Sequence, residues 1–245
     1  MSGETVYLAS DVHLGAIPPE NEAAFLRWLE HAGERAGRLV LNGDVFDFWF
    51  EYGSVVPRGH ARVLGALARI VDAGTPVDLM GGNHDWWGGS FLTDEIGVSF
   101  HREPVKLDLA GRRVLLAHGD GLDPGDFGYR LLRLVLRGRL TRWAFRWLHP
   151  DLGAAAARWV SETEERGGGP TARERDRAET LREWAHRTLK DDTSLDGVVL
   201  GHTHIPAVDE LEGGRFYVNT GDWIYHRSYG VLAPGEPPRV ERWEG

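Results

Sequence analysis

The sequence predicts an α/β fold interrupted by a helical insertion, and three observations carry that expectation. Short runs rich in Val and Leu, bounded by turn residues, recur at 5–9, 38–41, 76–80, 113–117 and 197–200, as buried strands should. Between them, 20–36 and 58–73 place Phe25, Leu26 and Leu29, then Val63, Leu67 and Ile70, at helical spacing. From 122 to 190 the strand signal gives way to a helical pattern broken by Gly167, Gly168, Gly169 and Pro170. Beyond it, short runs at 207–211, 215–218 and 229–232, separated by Gly-rich turns, suggest added antiparallel strands. The expected organisation is one domain, 1–245, with 122–190 as a helical cap inserted in it.

Composition narrows the chemistry. Against 28 basic residues stand 37 acidic ones, a formal charge of -9, which argues against a general nucleic-acid binder. The chain has no cysteine, so disulfides, thiolate nucleophiles and sulfur-ligated zinc are excluded, and any metal must be held by nitrogen and oxygen. Residues 1–9 show no basic stretch leading into an apolar segment, and no apolar run approaches the roughly 20 residues that span a bilayer, so the expected location is the cytoplasm.

Within the insertion, 129–149 holds Arg130, Arg133, Arg137, Arg139, Arg142 and Arg146 without an acidic residue, interleaved with Leu131, Leu132, Leu134, Trp143, Phe145 and Trp147. Such a segment can lie on an anionic membrane surface or grip an amphipathic ligand. The plainer reading is an amphipathic helix pair with a solvated arginine face.

Each strand ends in residues that make poor core and good ligands. Tyr7-Leu8-Ala9 runs into Ser10-Asp11-Val12-His13, Val40-Leu41 into Asn42-Gly43-Asp44, and Leu79-Met80 into Gly81-Gly82-Asn83-His84-Asp85. Leu115-Leu116-Ala117 gives His118-Gly119-Asp120, and Val199-Leu200 gives Gly201-His202-Thr203-His204. In an open α/β sheet the carboxyl ends of strands share one edge, so the five loops are expected to converge, with ligands enough for two metals. Asp11 and His13, like His202 and His204, are expected on one side of an extended segment. Gly43, Gly82, Gly119 and Gly201 are expected to let backbone and a substrate phosphate approach closely. A carboxylate such as Asp44 can bridge two cations about 3.5–4 Å apart, the arrangement that clamps attacking and leaving oxygens at phosphorus. Imidazole, carboxylate and amide donors without sulfur suit Mn²⁺, Fe or Zn²⁺.

A lone histidine is more often packing than ligand, and His31, His60, His101, His149 and His186 are read that way; His13, His84, His118, His202 and His204 each follow an apolar strand. Asp85 and Asp120 read equally as ligand supports or as turn residues. Trp49, Trp86, Trp87 and Trp223 lie near the motifs and could wall a pocket, although ten tryptophans in one chain must mostly pack.

Together and in this order, D-x-H, G-D-x-x-D, G-N-H-D, H-G-D and G-H-T-H resemble the calcineurin-like metallophosphoesterase superfamily over nearly the whole chain. The resemblance implies a β-sandwich flanked by helices (α/β/β/α) and two divalent cations, Mn²⁺ first among them. It implies a first metal on Asp11, His13, Asp44 and His204, and a second on Asp44, Asn83, His118 and His202. His84 becomes the histidine that assists the leaving group, Asp47 the partner that orients it, and a hydroxide bridging the cations the nucleophile.

The stretch from His118 to Ser161, with Asp123, Tyr129, Arg158 and Ser161, is similar to the UDP-2,3-diacylglucosamine pyrophosphatase family of lipid A synthesis, as is Asn219-Thr-Gly-Asp-Trp223. That family's best-known branch carries arginine where this chain has His84, and a sister branch carries histidine. The similarity implies cleavage of a lipid-linked UDP-sugar to UMP and a lipid monophosphate. It also implies substrate contacts at those four residues, and peripheral contact with the cytoplasmic face of an anionic inner membrane. Two rivals are a cytosolic phosphoesterase acting on a soluble nucleotide or phosphodiester, and a partner-binding scaffold that has lost catalysis. Every ligand position is filled, which disfavours the scaffold.

Overall fold

The structure, a computed structural model, describes residues 4–123, 125–161 and 171–245, with 156–161 described as helix backbone alone. Strands and helices alternate at first: β1 (Val6–Ala9), α1 (Pro19–Arg35), β2 (Arg38–Asn42), α2 (Ala61–Asp72) and β3 (Val77–Met80). After a π-helical turn at Phe91–Glu95 come β4 (Ser99–His101), β5 (Val105–Leu109) and β6 (Arg112–Leu116). Four helices follow, α3 (Phe127–Arg137), α4 (Arg139–Arg146), α5 (Pro150–Ser161) and α6 (Ala172–Asp191). The chain closes with β7 (Gly197–Leu200), β8 (Ala207–Glu210), β9 (Phe216–Asn219), β10 (Ser228–Leu232) and β11 (Arg239–Arg242).

The strands form two sheets, ordered β11-β10-β1-β2-β3-β4 and β5-β6-β7-β9-β8. In the first, β1 to β4 are mutually parallel; in the second, β6, β7 and β9 are. The sheets pack face to face, and a helical layer covers each outer face. Period-two alternation assigns the side chains: Leu39, Leu41 and Leu79 join Phe25, Trp28, Val63 and Leu67 beneath α1 and α2. Val40 and Met80 point the other way, meeting Val114, Leu116, Val199 and Val218 between the sheets. A third core lies where Leu181, Ala185 and Leu189 of α6 cover Val198, Leu200 and Tyr217. The order is helix, sheet, sheet, helix.

Two expectations need correction. Of the late strands, β8 and β10 are antiparallel to neighbours as expected, but β9, antiparallel to β8, runs parallel to β7, because β8 passes beyond it and turns back, leaving β9 interior and buried at all four positions. Strands β4, β5 and β11 had no sequence signal, since Ser99, Lys106, Asp108, Arg239 and Glu241 break any apolar run and suit partly solvated strands. The helical stretch 122–190 also divides. Thr171 and Glu174 cap α6 reciprocally, and α6 then packs onto the second sheet as part of the body. Helices α3 and α4 bury no residue and expose their apolar side chains, Leu134 at 70% and Leu140 at 77%.

Deleting a fully buried leucine on α6 tests its place in the body. Leu181→Ala is expected to destabilise the protein by about 2–5 kcal/mol in denaturant unfolding, whereas a loss near zero would put α6 outside the cooperative unit. His60, buried against Phe46 and Trp49, supplies a pH signature. Burial pushes its imidazole down to about 4, with Asp47 acting weakly in the opposite sense. Between pH 6.5 and 4 the unfolded chain therefore takes a proton that the folded chain refuses, and stability falls as pH drops through that window, by up to about 3 kcal/mol. His60→Phe is expected to flatten this dependence; a stability difference between wild type and variant that stays constant from pH 7 to 4.5 would contradict it.

Candidate active site

The parallel strands bring five loops to one place. Asp11 and His13 follow β1, Asp44 follows β2, Asn83 and His84 follow β3, His118 follows β6, and His202 and His204 follow β7. The sheets are joined at this edge by Asn42, which donates from Nδ2 to Ala117 O at 2.9 Å and accepts at its carbonyl from His118 Nδ1 at 2.9 Å. Three groups of side chains then offer ligand atoms lying within 4.8 Å of one another: Asp11 with His13 and His204, His13 with Asp44 and His84, and Asp44 with His118 and His202. Asp44 and His13 each belong to two groups, so the ensemble is continuous.

The donor set fits cations. His13 Nε2 and Asn83 Oδ1 are buried and make no hydrogen bond, and His118 Nε2 lies 3.2 Å from Asp44 Oδ2; buried polar atoms left so call for a ligand to satisfy them. The opposite ring nitrogens are committed. His118 Nδ1 donates to Asn42 O, and His13 Nδ1 donates to Asp47 Oδ1 at 3.3 Å, so Nε2 of each ring is the nitrogen that faces the cluster. His204 stands between Asp11, 3.4 Å from Nε2, and Asp222, 3.5 Å from Nδ1.

The electrostatics are those of opposite charges forced together. Burial alone would raise the Asp44 carboxyl, but His118, His84 and His13 outweigh it and hold it well below the usual carboxylate range. Burial opposes a charge on His118, yet Asp44 and Asp11 lift it well above the ordinary imidazole value; His204 reaches about 9 against burial through Asp11 and Asp222. His202, with burial and then the His118 charge against it, falls to about 3.

The backbone is strained where the ligands sit. Asp11, His13, Asp44, His202 and His204 all have φ between 52° and 68°, a left-handed conformation that costs a non-glycine residue on the order of 1–2 kcal/mol. This overturns the expectation of extended D-x-H and H-x-H segments: the chain coils at each ligand and turns the side chains inward. Gly82 also differs from its expected role. A Cβ there would collide with Asp44 Oδ1 and lie 2.8 Å from its Cγ, so the glycine makes room for the carboxylate of a neighbouring loop.

A calcineurin-like phosphoesterase family model matches residues 4–206. The chain belongs to that family. This phosphoesterase is 32% identical to the UDP-2,3-diacylglucosamine hydrolase of Porphyromonas gingivalis, over 92% of this chain and 93% of that one. It is 31% identical to the enzyme of the same name from Aeromonas salmonicida, over 95% and 91%. Among solved structures it is similar to Vacuolar Protein Sorting 29 from Cryptosporidium parvum, with a TM-score of 0.49 and 16% identity over 98% and 97% of the chains. The family makes it a metal-dependent hydrolase.

The phosphoesterase places the remaining expected residues as follows. Asp47 touches His84 through its backbone carbonyl, which accepts from Nδ1 at 2.8 Å, while its carboxylate serves His13, so the expected carboxylate contact to His84 is the longer one, 3.8 Å. Asp85 is a loop clamp: its buried carboxylate accepts from the backbone N–H of Val45 and Gly82 at 2.8 Å and of Asp44 and Phe46 at 3.3 Å. Asp120 binds Arg137 at 2.8 Å, Arg133 at 3.3 Å and the Tyr129 hydroxyl at 3.2 Å, anchoring α3 beside His118. Asp123 accepts from Gly125 N, and the side chains of Arg158 and Ser161 lie outside the described residues. Trp49 and Trp223 are core; Trp86 and Trp87 meet the cap helices.

Two supporting residues escaped the sequence reading. Asp222, fully buried, faces His204 and also accepts from His226 Nδ1 at 3.0 Å; Ser10 donates to Asp11 Oδ2 at 2.5 Å. Asp222→Asn keeps the shape and removes the charge. It is expected to weaken metal retention by about 10–100-fold in a chelator competition, the usual cost of losing an outer partner, and unchanged retention would show that Asp222 is packing only.

Proposed function

We propose that this phosphoesterase hydrolyses the pyrophosphate of UDP-2,3-diacylglucosamine to UMP and 2,3-diacylglucosamine 1-phosphate. It does so with two divalent cations, Mn²⁺ in the native enzyme. One is held by Asp11, His13, Asp44 and His204, the other by Asp44, Asn83, His118 and His202. The observation that carries the substrate is the cap. Helices α3 to α5 stand beside the site with Phe127, Leu131, Leu134, Leu140, Trp143 and Trp147 exposed among arginines, and relatives of that name align through this segment. Exposed apolar area of this kind marks a lipid or membrane contact. No helix among the described residues is long and apolar enough to cross a membrane, so the reading is peripheral contact at the cytoplasmic face.

Bound cations supply Lewis acidity toward phosphoryl oxygens and lower the pKa of water. The chain's own groups do the rest. His84 is held by Asp47 O and lies in the group with His13 and Asp44. Burial works against its charge, but Asp44 and the Asp47 carbonyl raise its pKa, so it keeps a proton with which to stabilise charge on a phosphoryl oxygen or the leaving group. Asp47 positions both His84 and His13. Asp123 and Tyr129 at the neck of the cap, with Arg158 and Ser161 of α5, are the substrate contacts.

The test is turnover of UDP-2,3-diacylglucosamine beside soluble phosphodiesters, with Mn²⁺ present. Release of UMP is expected, with soluble diesters cleaved far more slowly. A chain that cleaves only the soluble diesters would transfer the reading to a soluble substrate.

A further inference from the structure

Beside the cluster, on its His118 flank, lies a cleft lined by Gly81, Arg102, His118, Asp120, Arg133 and Arg137. Two of its arginines, Arg102 and Arg137, gather with Arg142 on one indole. The guanidinium carbons of Arg137, Arg142 and Arg102 lie 4.8, 5.6 and 6.0 Å from the centroid of Trp86, which is itself buried and donates from Nε1 to Arg102 O at 2.9 Å. They arrive from three elements: Arg102 follows β4, Arg137 ends α3 and Arg142 lies within α4.

A packing explanation covers Arg137 well. It is ion-paired to Asp120, and its Nη2 also reaches Gly82 O at 3.4 Å, so it pins the cap to the loop that carries Asn83. It covers the other two less completely: Arg102 donates from Nη2 to Gly88 O and lies 5.5 Å from the Phe100 centroid, but neither partner carries a charge. Among the described residues no carboxylate comes within 4.0 Å of Arg102 or Arg142, and the one buried carboxylate in the cleft, Asp120, is shared by Arg133 and Arg137. Glu51 stands nearby, but its oxygens accept from the backbone N–H of Gly89 at 2.6 Å and Phe91 at 3.0 Å; Glu103 lines the cleft without an ion pair. Burial first, and then the charge of Arg142, hold Arg102 below the ordinary guanidinium value, with Glu51 acting in the opposite sense. Two adjacent guanidiniums without an ion pair of their own are costly unless an anion completes them, and their planar forks match phosphate oxygens.

We propose that Arg102, Arg137 and Arg142, gathered on Trp86, form an anion subsite for the phosphoryl group of the pyrophosphate that is not attacked. The inference rests on the pyrophosphate reading above and deepens it. Two phosphoryl groups share one bridging oxygen, so when one lies among the cluster's ligands the other must fall immediately beside them. Arg137, held at Gly82 next to Asn83, is the adjoining positive group. Cleavage leaves additional negative charge on the departing phosphate, and fixed guanidiniums there stabilise it without reorganisation.

Two measurements test the subsite on the metal-loaded full chain, with Arg102→Gln, Arg142→Gln and the charge-conserving Arg142→Lys. In the first, kcat/KM for UDP-2,3-diacylglucosamine is expected to fall at least tenfold more than that for bis(4-nitrophenyl) phosphate, a diester with no second phosphoryl group, in both glutamine variants, and Arg142→Lys is expected to recover part of the loss. Equal losses on the two substrates, or none, overturn the proposal in favour of packing. The second is calorimetric binding of UDP-glucose, which carries the pyrophosphate without acyl chains and does not depend on the lipid being the substrate. A Kd at least fivefold weaker in the glutamine variants supports the subsite even if the lipid is not cleaved. A wild-type chain that binds UDP-glucose no better than the variants, or not at all, overturns it.

Discussion

The geometry of the site depends on one buried carboxylate that is not itself among the proposed cation ligands. Asp85 accepts backbone N–H groups from the loop after β2 and from the loop after β3, and so fixes Asp44 relative to Asn83 and His84. Burial and the neighbouring Asp44 push its carboxyl up to about 6, against those hydrogen bonds, which shows how much the desolvated charge is opposed. The His84 N–H completes the join by donating to Asp44 Oδ1 at 2.9 Å. Between the sheets, Asn42 has the same role in neutral form. Left-handed ligands can persist only because such ties over-determine them: strain of about 1–3 kcal/mol at each of several residues needs a rigid surround.

That surround comes from the layers. Trp28, Trp49 and Trp223 are fully buried under the first sheet, and Trp223 N donates to Asp11 O, so the core reaches the ligand loop directly. The cap has no comparable anchor. It is held by Asp120 on its arginines and tyrosine, by Trp86 and Trp87 against Arg137, Arg142 and Leu136 O, and by Phe145 against Phe50 and Tyr52. These contacts leave the apolar side chains of α3 and α4 open for something hydrophobic that the body does not provide.

Much of this was legible because ligands placed directly after apolar strands break the usual logic of a core. His13, His118, His202 and His204 could be picked out by position, and α1 and α2 by period, each within a few residues. What was illegible depended on three-dimensional proximity or on backbone conformation. Asp222 sits in a turn between strands, where aspartate is ordinary, and only folding sets it against His204. Positive φ is normally inferred from glycine or asparagine, so nothing in Asp-x-His announces it. Helix α6 shared its period with the cap helices, and only Leu181, Ala185 and Leu189 meeting the second sheet separate it from them. The arginines on Trp86 come from positions 102, 137 and 142, and no local pattern links the first to the others.

The charge arrangement bears on how the site discriminates between its occupants. Asp11 and Asp44 are buried among imidazoles, and these carboxylates lift His118 and His204 toward their protonated forms. Protons and divalent cations therefore compete for the same nitrogens, and a cation wins only by satisfying several donors at once, which a proton cannot do. Strained loops hold those donors converged beforehand, so little ordering remains when the cation arrives. The same logic extends outward to Arg102, Arg137 and Arg142 on Trp86, where positive charge is gathered in advance, as the proposed anion subsite requires.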